Sequence, residues 1–233
     1  MGGLVKHRPE TFEPLPAAGT PADHGGLRPS PPVRVGMLVL ALIATQFPVG
    51  GGARAEGGRV LSLCCAWGKA IDDGQLSYRV AAADDASADV IRQAVREWDA
   101  SLPGLELVEG AVGAVDIAIT FDAEPGRTEG QAVTSFTQAG LIRHVDIGIQ
   151  GGPAPGNAGG LLQIAKHEFG HALGLGHANF EGNLMSQAVS PQPQPIEPCV
   201  ISAVLEANHW RLADAGLRRI GRPEPPRVSD VSC

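Results

Sequence analysis

Along residues 76–212 the apolar positions switch repeatedly between two spacings, and each switch marks a change of element. Leu76, Tyr78 and Val80 alternate with polar residues, the period of a half-buried strand. The N-cap candidates Asp84 to Ser87 come next. After them Val90, Ile91, Ala94, Val95 and Trp98 fall on one face of a helix that ends near Pro103 and Gly104. Leu105 to Val108 is a short strand candidate. Val115, Ile117, Ile119 and Phe121 alternate with Asp116, Ala118 and Thr120, which predicts another strand, and Asp122 to Gly130 reads as a loop. Ala132 to Phe136, and then Val145, Ile147 and Ile149, supply two more strands. The turn-rich stretch Gly151 to Gly160 precedes Leu161 to Leu173, which is apolar at helical spacing.

The first quarter of the chain lacks this order. Pro9, Pro14, Pro16, Pro21, Pro29, Pro31 and Pro32 interrupt any periodicity, so residues 1–34 read as an unpacked, proline-rich extension. Residues 35–55 read as a secretory signal. Arg34 precedes the apolar stretch Val35 to Ala44, which falls short of the about 20 residues that span a bilayer. Pro48, glycines and the small-residue site Ala53-Arg54-Ala55 follow. Initiation near Val33 or Met37 would give such a signal its usual length. The expected mature domain is 56–233, exported to the periplasm or outside the cell, with no membrane attachment after signal cleavage.

Composition narrows the reading further. A hydrophobic share of 43% with 18% charged residues suits a globular domain with a real core. The net charge of -7 and the scattered Lys and Arg exclude nucleic acid as the expected partner. A monomer is expected. The four cysteines, Cys64, Cys65, Cys199 and Cys233, suit disulfides in an exported protein, and the expected bridges join the Cys64-Cys65 end to the C-terminal pair.

The chemistry is concentrated in His167-Glu168-Phe169-Gly170-His171-Ala172-Leu173-Gly174-Leu175-Gly176-His177. On a helix His167 and His171, at i and i+4, leave the same face and can share one ion. Gly174 can adopt the positive φ that ends a helix and lets the chain bring His177 to the same point. Three neutral imidazoles leave one position of a zinc ion open, as in catalytic sites. Glu168, beside that face, is the candidate general base for attack of water on an amide, a reaction without a covalent intermediate. No Ser or Cys lies in a nucleophile motif such as G-x-S-x-G.

This stretch resembles the metzincin signature H-E-x-x-H-x-x-G-x-x-H followed by a methionine turn, here Asn183-Leu184-Met185-Ser186. The short connection from His177 to Met185 resembles the matrixin branch. The resemblance implies an α+β catalytic domain, a twisted mixed sheet with an active-site helix and a C-terminal helix within Cys199 to Leu212. It implies a zinc-dependent endopeptidase acting on peptide or protein substrates, with Met185 as a hydrophobic floor beneath the metal. It also implies that Ala132 to Phe136 is the edge strand to which an extended substrate adds, and that the chain after Met185, with its prolines, shapes the adjoining specificity pocket.

The departures are specific. Ala178 stands where matrixins usually carry Ser, Phe180 replaces the usual acidic residue, and the C-terminal helix lacks the family's paired aspartates. Val133, Thr134 and Asp146 occupy the neighbourhood of the second, structural zinc of vertebrate members, so one zinc is expected and His144 reads as a surface residue. No propeptide switch of the P-R-C-G kind is present, and a Cys64 or Cys65 thiolate on zinc is the minor alternative to a disulfide. Asp122, Glu124 and Asp146 are candidate calcium ligands. Two other functions compete: an inactive, zinc-holding peptide-binding module, and a zinc hydrolase of a non-peptide amide.

Overall fold

The computed structural model describes residues 58–110, 113–124, 129–153, 156–212 and 222–233. The proline-rich extension at 1–34 and the signal expected at 35–55 therefore lie outside the described residues. The described elements are, in order, β1 (Val60–Leu63), β2 (Gln75–Ala82), α1 (Asp85–Ser101), β3 (Glu106–Glu109), β4 (Ile117–Ala123), β5 (Glu129–Phe136), β6 (Ile142–Gly151), α2 (Ala158–Ala172), β7 (Leu175–Ala178), α3 (Pro198–Ala207) and β8 (Asp230–Ser232).

Five strands form one sheet in the order β3-β2-β4-β6-β5. Its first four strands run parallel, and β5 returns antiparallel to β6 as the edge. The alternation read from the sequence places its residues correctly. Ile117, Ile119 and Phe121 of β4 and Val145, Ile147 and Ile149 of β6 are buried, while Thr120, Asp122, Asp146 and Gln150 face outward. The apolar face is covered by α1 and α2, whose contact is fastened by the Trp98 indole N–H donating to the Lys166 carbonyl at 3.0 Å. α1 begins where the sequence places it: the Asp84 side chain accepts from the Ser87 backbone N–H, an N-cap bond that satisfies one orphan donor. Ile91, Ala94, Val95 and Trp98 are buried on its inner face.

The segment expected as a loop from Asp122 to Gly130 is shorter at both ends. β6 is long enough to pair Asp122 and Ala123 on one side and Glu129 and Gly130 on the other, which draws those residues into strands.

A second sheet, in the order β7-β1-β8, is antiparallel throughout. Near it lie the disulfides, and they correct the expected pairing. Cys64 bonds Cys65, and Cys199 bonds Cys233. β8 runs beside β1, which carries Cys233 to the start of α3. There the two Cα atoms stand 5.4 Å apart, inside the range a disulfide bridges. The Cys64-Cys65 turn is held instead to the active-site helix end, where the Gly174 carbonyl accepts from the Cys64 N–H at 2.9 Å. The whole is a mixed α/β domain of two sheets and three helices among the described residues, consistent with the expected metzincin-like catalytic domain.

Candidate active site

α2 is buried along nearly its whole length, from Leu161 to Ala172, so it runs through the core rather than along the surface. A helix in that position must satisfy its last carbonyls without water. The Trp67 indole donates to the Ala172 carbonyl at 2.8 Å, and the Asn208 side-chain amide donates to that of Leu173 at 2.9 Å. The next residue, Gly174, has φ of 99°, as its place at the helix end predicts, and a Cβ there would collide with the Cys65 carbonyl. The chain thereby turns sharply into β7, and His177 comes back over the helix.

The three imidazoles converge. Their ring centroids lie 4.7 Å (His167–His171), 4.8 Å (His171–His177) and 5.4 Å (His167–His177) apart, and one ligand atom from each falls within 4.8 Å of the others. His167 is buried, His171 half-buried and His177 exposed, so one side of the cluster opens to solvent.

The hydrogen bonds fix what the cluster accepts. Nδ1 of His167 lies 2.9 Å from the Leu184 carbonyl, and Nδ1 of His171 lies 2.9 Å from that of Leu175. A carbonyl only accepts, so each Nδ1 carries the proton and each Nε2 presents a lone pair. Those two Nε2 atoms face each other at 3.1 Å. Two lone pairs so placed repel unless a cation lies between them, and tetrahedral zinc sets its ligand nitrogens roughly 3.3 Å apart. Burial reinforces this: it pushes His167 down to about 4, against the raising effect of the Leu184 carbonyl, and lowers His171 too. The donor set therefore fits zinc, with His167, His171 and His177 as the residues that could hold it.

Glu168 lies beside the cluster, 5% exposed. Burial pushes its carboxyl up to about 7, and the Ala132 backbone N–H of β5, donated to the carboxylate, holds it lower than burial alone would. A carboxylate in that range can both take and return a proton near neutral pH.

Met185 is fully buried beneath α2, where a Cβ on Gly170 would strike its sulfur. Its turn is tied at each step. The Asn183 side chain accepts from the Met185 N–H at 2.9 Å, the Ser186 hydroxyl donates to the Asn183 carbonyl at 2.7 Å, and the Met185 carbonyl accepts from Ala178 at 2.8 Å. This turn also presents the Leu184 carbonyl to His167. The chain beyond it is fastened to α2 by Gln163, whose side chain accepts from the Gln194 N–H at 2.7 Å, and by the buried Lys166 ammonium, which donates to the Gln194 carbonyl and pairs with Glu97 at 2.9 Å.

A cleft of roughly 590 Å³ runs over the histidines between Gly130, Ala132 and Thr134 of β5 and the wall residues Gln187 and Val189, with Cys64 at its margin. Thus the structure gathers His167, Glu168, His171, His177 and Met185 into one site. Asp122 and Asp146 lie elsewhere, in a groove on the outer face of the large sheet, and Glu124 follows β4. Asp146 bonds the half-buried His144 ring at 3.1 Å, and the other ring nitrogen of His144 bonds the Val115 carbonyl. The residues that orient the site, Leu175, Leu184, Trp67, Asn208 and Lys166, escape sequence reasoning because most act through the main chain or across long separations. Only Lys166, a charge inside an apolar helix, carries a visible signal.

Residues 154–198 match the family model of the matrixins, peptidase family M10. The matched segment covers α2, β7, the methionine turn and its wall. No curated protein matches the chain. The matrixin match and the three-histidine cluster together support a zinc metallopeptidase.

Proposed function

Taking a matrixin-like zinc metallopeptidase as the premise, we propose that this chain is an exported endopeptidase in which His167, His171 and His177 hold one zinc ion and Glu168 is the general base. The observation that carries the reading is the pair of Nε2 lone pairs facing each other beside a buried carboxyl tuned to about 7. A bound zinc ion supplies Lewis acidity, polarising a carbonyl oxygen and making water more acidic. The chain's own residues do the rest. Leu184 and Leu175 hold the imidazoles in the tautomer that binds metal. Glu168 takes a proton from the attacking water as the C–O bond forms, and returns it to the amide nitrogen as the C–N bond breaks. β5 offers an open main-chain edge on which an extended peptide can pair, its reacting carbonyl laid over Glu168. The Ala132 N–H keeps the carboxylate pointed into the cleft.

Export rests on the sequence order of Arg34, the apolar stretch and Ala53-Arg54-Ala55. N-terminal sequencing of the secreted chain should read from Glu56, and a secreted chain that retains residues 1–34 would exclude that signal.

The test of activity is incubation of the zinc-loaded protein with a mixed peptide library, with products identified by mass. Cleavage should stop on chelation and return with zinc, at about one ion per chain. Absence of cleavage at full zinc occupancy would favour a zinc-holding binding module. Cleavage indifferent to chelation would remove the metal from the mechanism.

A further inference from the structure

A second groove, of roughly 560 Å³, opens at the other end of the β5–β6 hairpin from Glu168. Its floor is apolar, with Ala139, Leu141 and Ile142, and its rim carries Lys69, Arg143 and Arg222 with no acidic residue among the described lining residues. None of the three cations has a hydrogen-bond or ion-pair partner among the described residues. In a chain with 25 acidic side chains against 18 Lys and Arg, this groove has the sign opposite to the molecule as a whole. Unpaired cations around an apolar floor complement a ligand with acidic groups on an apolar body.

The groove lies beyond the end of β5, past the active-site cleft. Thr134 is the last β5 residue lining the cleft, Thr137 is the next residue along the chain to line the groove, and Ser135 and Phe136 stand between them. Phe136 is 49% exposed. Among the described residues β5 pairs with β6 alone, which leaves its outer edge for an added strand. A strand advances about 3.3 Å per residue, which puts the groove about five residues along β5 from Ala132, the residue bonded to Glu168.

We propose that this groove binds an acidic, apolar segment of the peptide substrate, held about five residues from the bond that is cut. The inference rests on the peptidase reading for its context. Asp or Glu side chains of the segment meet Lys69, Arg143 and Arg222, and its apolar residues cover Leu141 and Ile142. The net charge of -7 works against acidic substrates at long range, so a preference for them can only come from a local site.

The experiment uses one cleavable core sequence in extended peptides, with a segment of Asp, Glu and Leu about five residues N-terminal or C-terminal to the scissile bond, and Lys-for-acid counterparts as controls. One of the two acidic extensions should raise kcat/KM about tenfold through KM, with the gain fading at high salt. Combined Lys69→Glu, Arg143→Glu and Arg222→Glu substitution should bring the ratio of acidic to control peptide to one or below. The single Arg143→Ala variant should lower that ratio about threefold, and it covers the case in which the triple variant folds poorly. Fluorescence anisotropy of the labelled acidic peptide, on parent and variants, reads the same site without turnover. Equal kcat/KM for every extended peptide with cleavage intact would overturn the groove while leaving the peptidase standing. Cleavage of none would overturn the peptidase, and anisotropy unchanged by the substitutions would overturn the groove in either case.

Discussion

Glu168 and His167 are neighbours on α2, and burial pushes them in opposite directions, up to about 7 and down to about 4. In the metal-free protein these shifts are statements about stability. The folded state holds the Glu168 proton more tightly than the unfolded chain does. The stability this contributes is full below about 4.5 and is lost as pH rises through about 7. His167 behaves oppositely: its contribution is present above 6.5 and is lost as pH falls through about 4. Replacing Glu168 by Gln removes a carboxylate that is costly when ionised. The metal-free Glu168→Gln variant should therefore gain more stability over the parent at pH 8 than at pH 5, by on the order of 2 kcal/mol in thermal or denaturant unfolding. An equal gain at both values would show that Glu168 is well solvated. In the loaded enzyme the base must be ionised and the imidazoles neutral, so cleavage should fall away on the acid side of neutrality. An activity maximum near pH 4 would contradict both requirements.

At the scale of elements, the decisive joint is the passage from α2 into β7. Gly174 has positive φ and lies against the Cys65 carbonyl, so Gly174→Ala combines backbone strain with a collision. The variant should lose about 2 kcal/mol or more of stability, and because His177 follows directly, its zinc affinity should fall as well. Metal titration alongside thermal unfolding measures the two together. A Gly174→Ala protein that binds zinc like the parent would show that the turn does not position His177.

What the sequence made legible follows from the range of the interactions. β2, α1, β4 and β6 carry their apolar positions at the strand or helix period because each has one face on the core, and the histidine spacing belongs to the helix itself. β1, β7 and β8 are too short for a period to appear, and they exist because each pairs with a distant partner: Leu61 with Ala178, and Val60 with Ser232. The same holds inside the site. His167, Glu168 and His171 could be read from local spacing. Trp67 and Asn208, far apart in the chain but bonded to each other where they cap α2, could not, because nothing near them in the chain marks them as partners of Ala172 and Leu173. The disulfides misled for a related reason, since the route of β8 beside β1, invisible in the sequence, decides which cysteine Cys233 meets.

For the whole molecule, the Cys199–Cys233 bridge closes the C-terminal segment onto α3 across a sequence separation of 34. Loop-closure entropy for that length suggests a contribution of about 4 kcal/mol. The Cys199→Ser, Cys233→Ser double variant should unfold at correspondingly lower denaturant, and an unchanged midpoint would mean that β8 holds without the bond. None of the described helices is long and apolar enough to cross a membrane. The fold as a whole serves to hold one carboxylate beside three imidazoles under an open strand edge, and the most direct test of that claim is Glu168→Ala at equal zinc content. Ala is a good helix former and leaves every imidazole in place. General acid–base assistance typically contributes 10² to 10⁴ in rate. Turnover of a peptide found in the library should therefore fall at least about 100-fold in the variant with about one zinc still bound per chain. Equal turnover by parent and variant, both fully loaded, would contradict the assignment of Glu168 as the base.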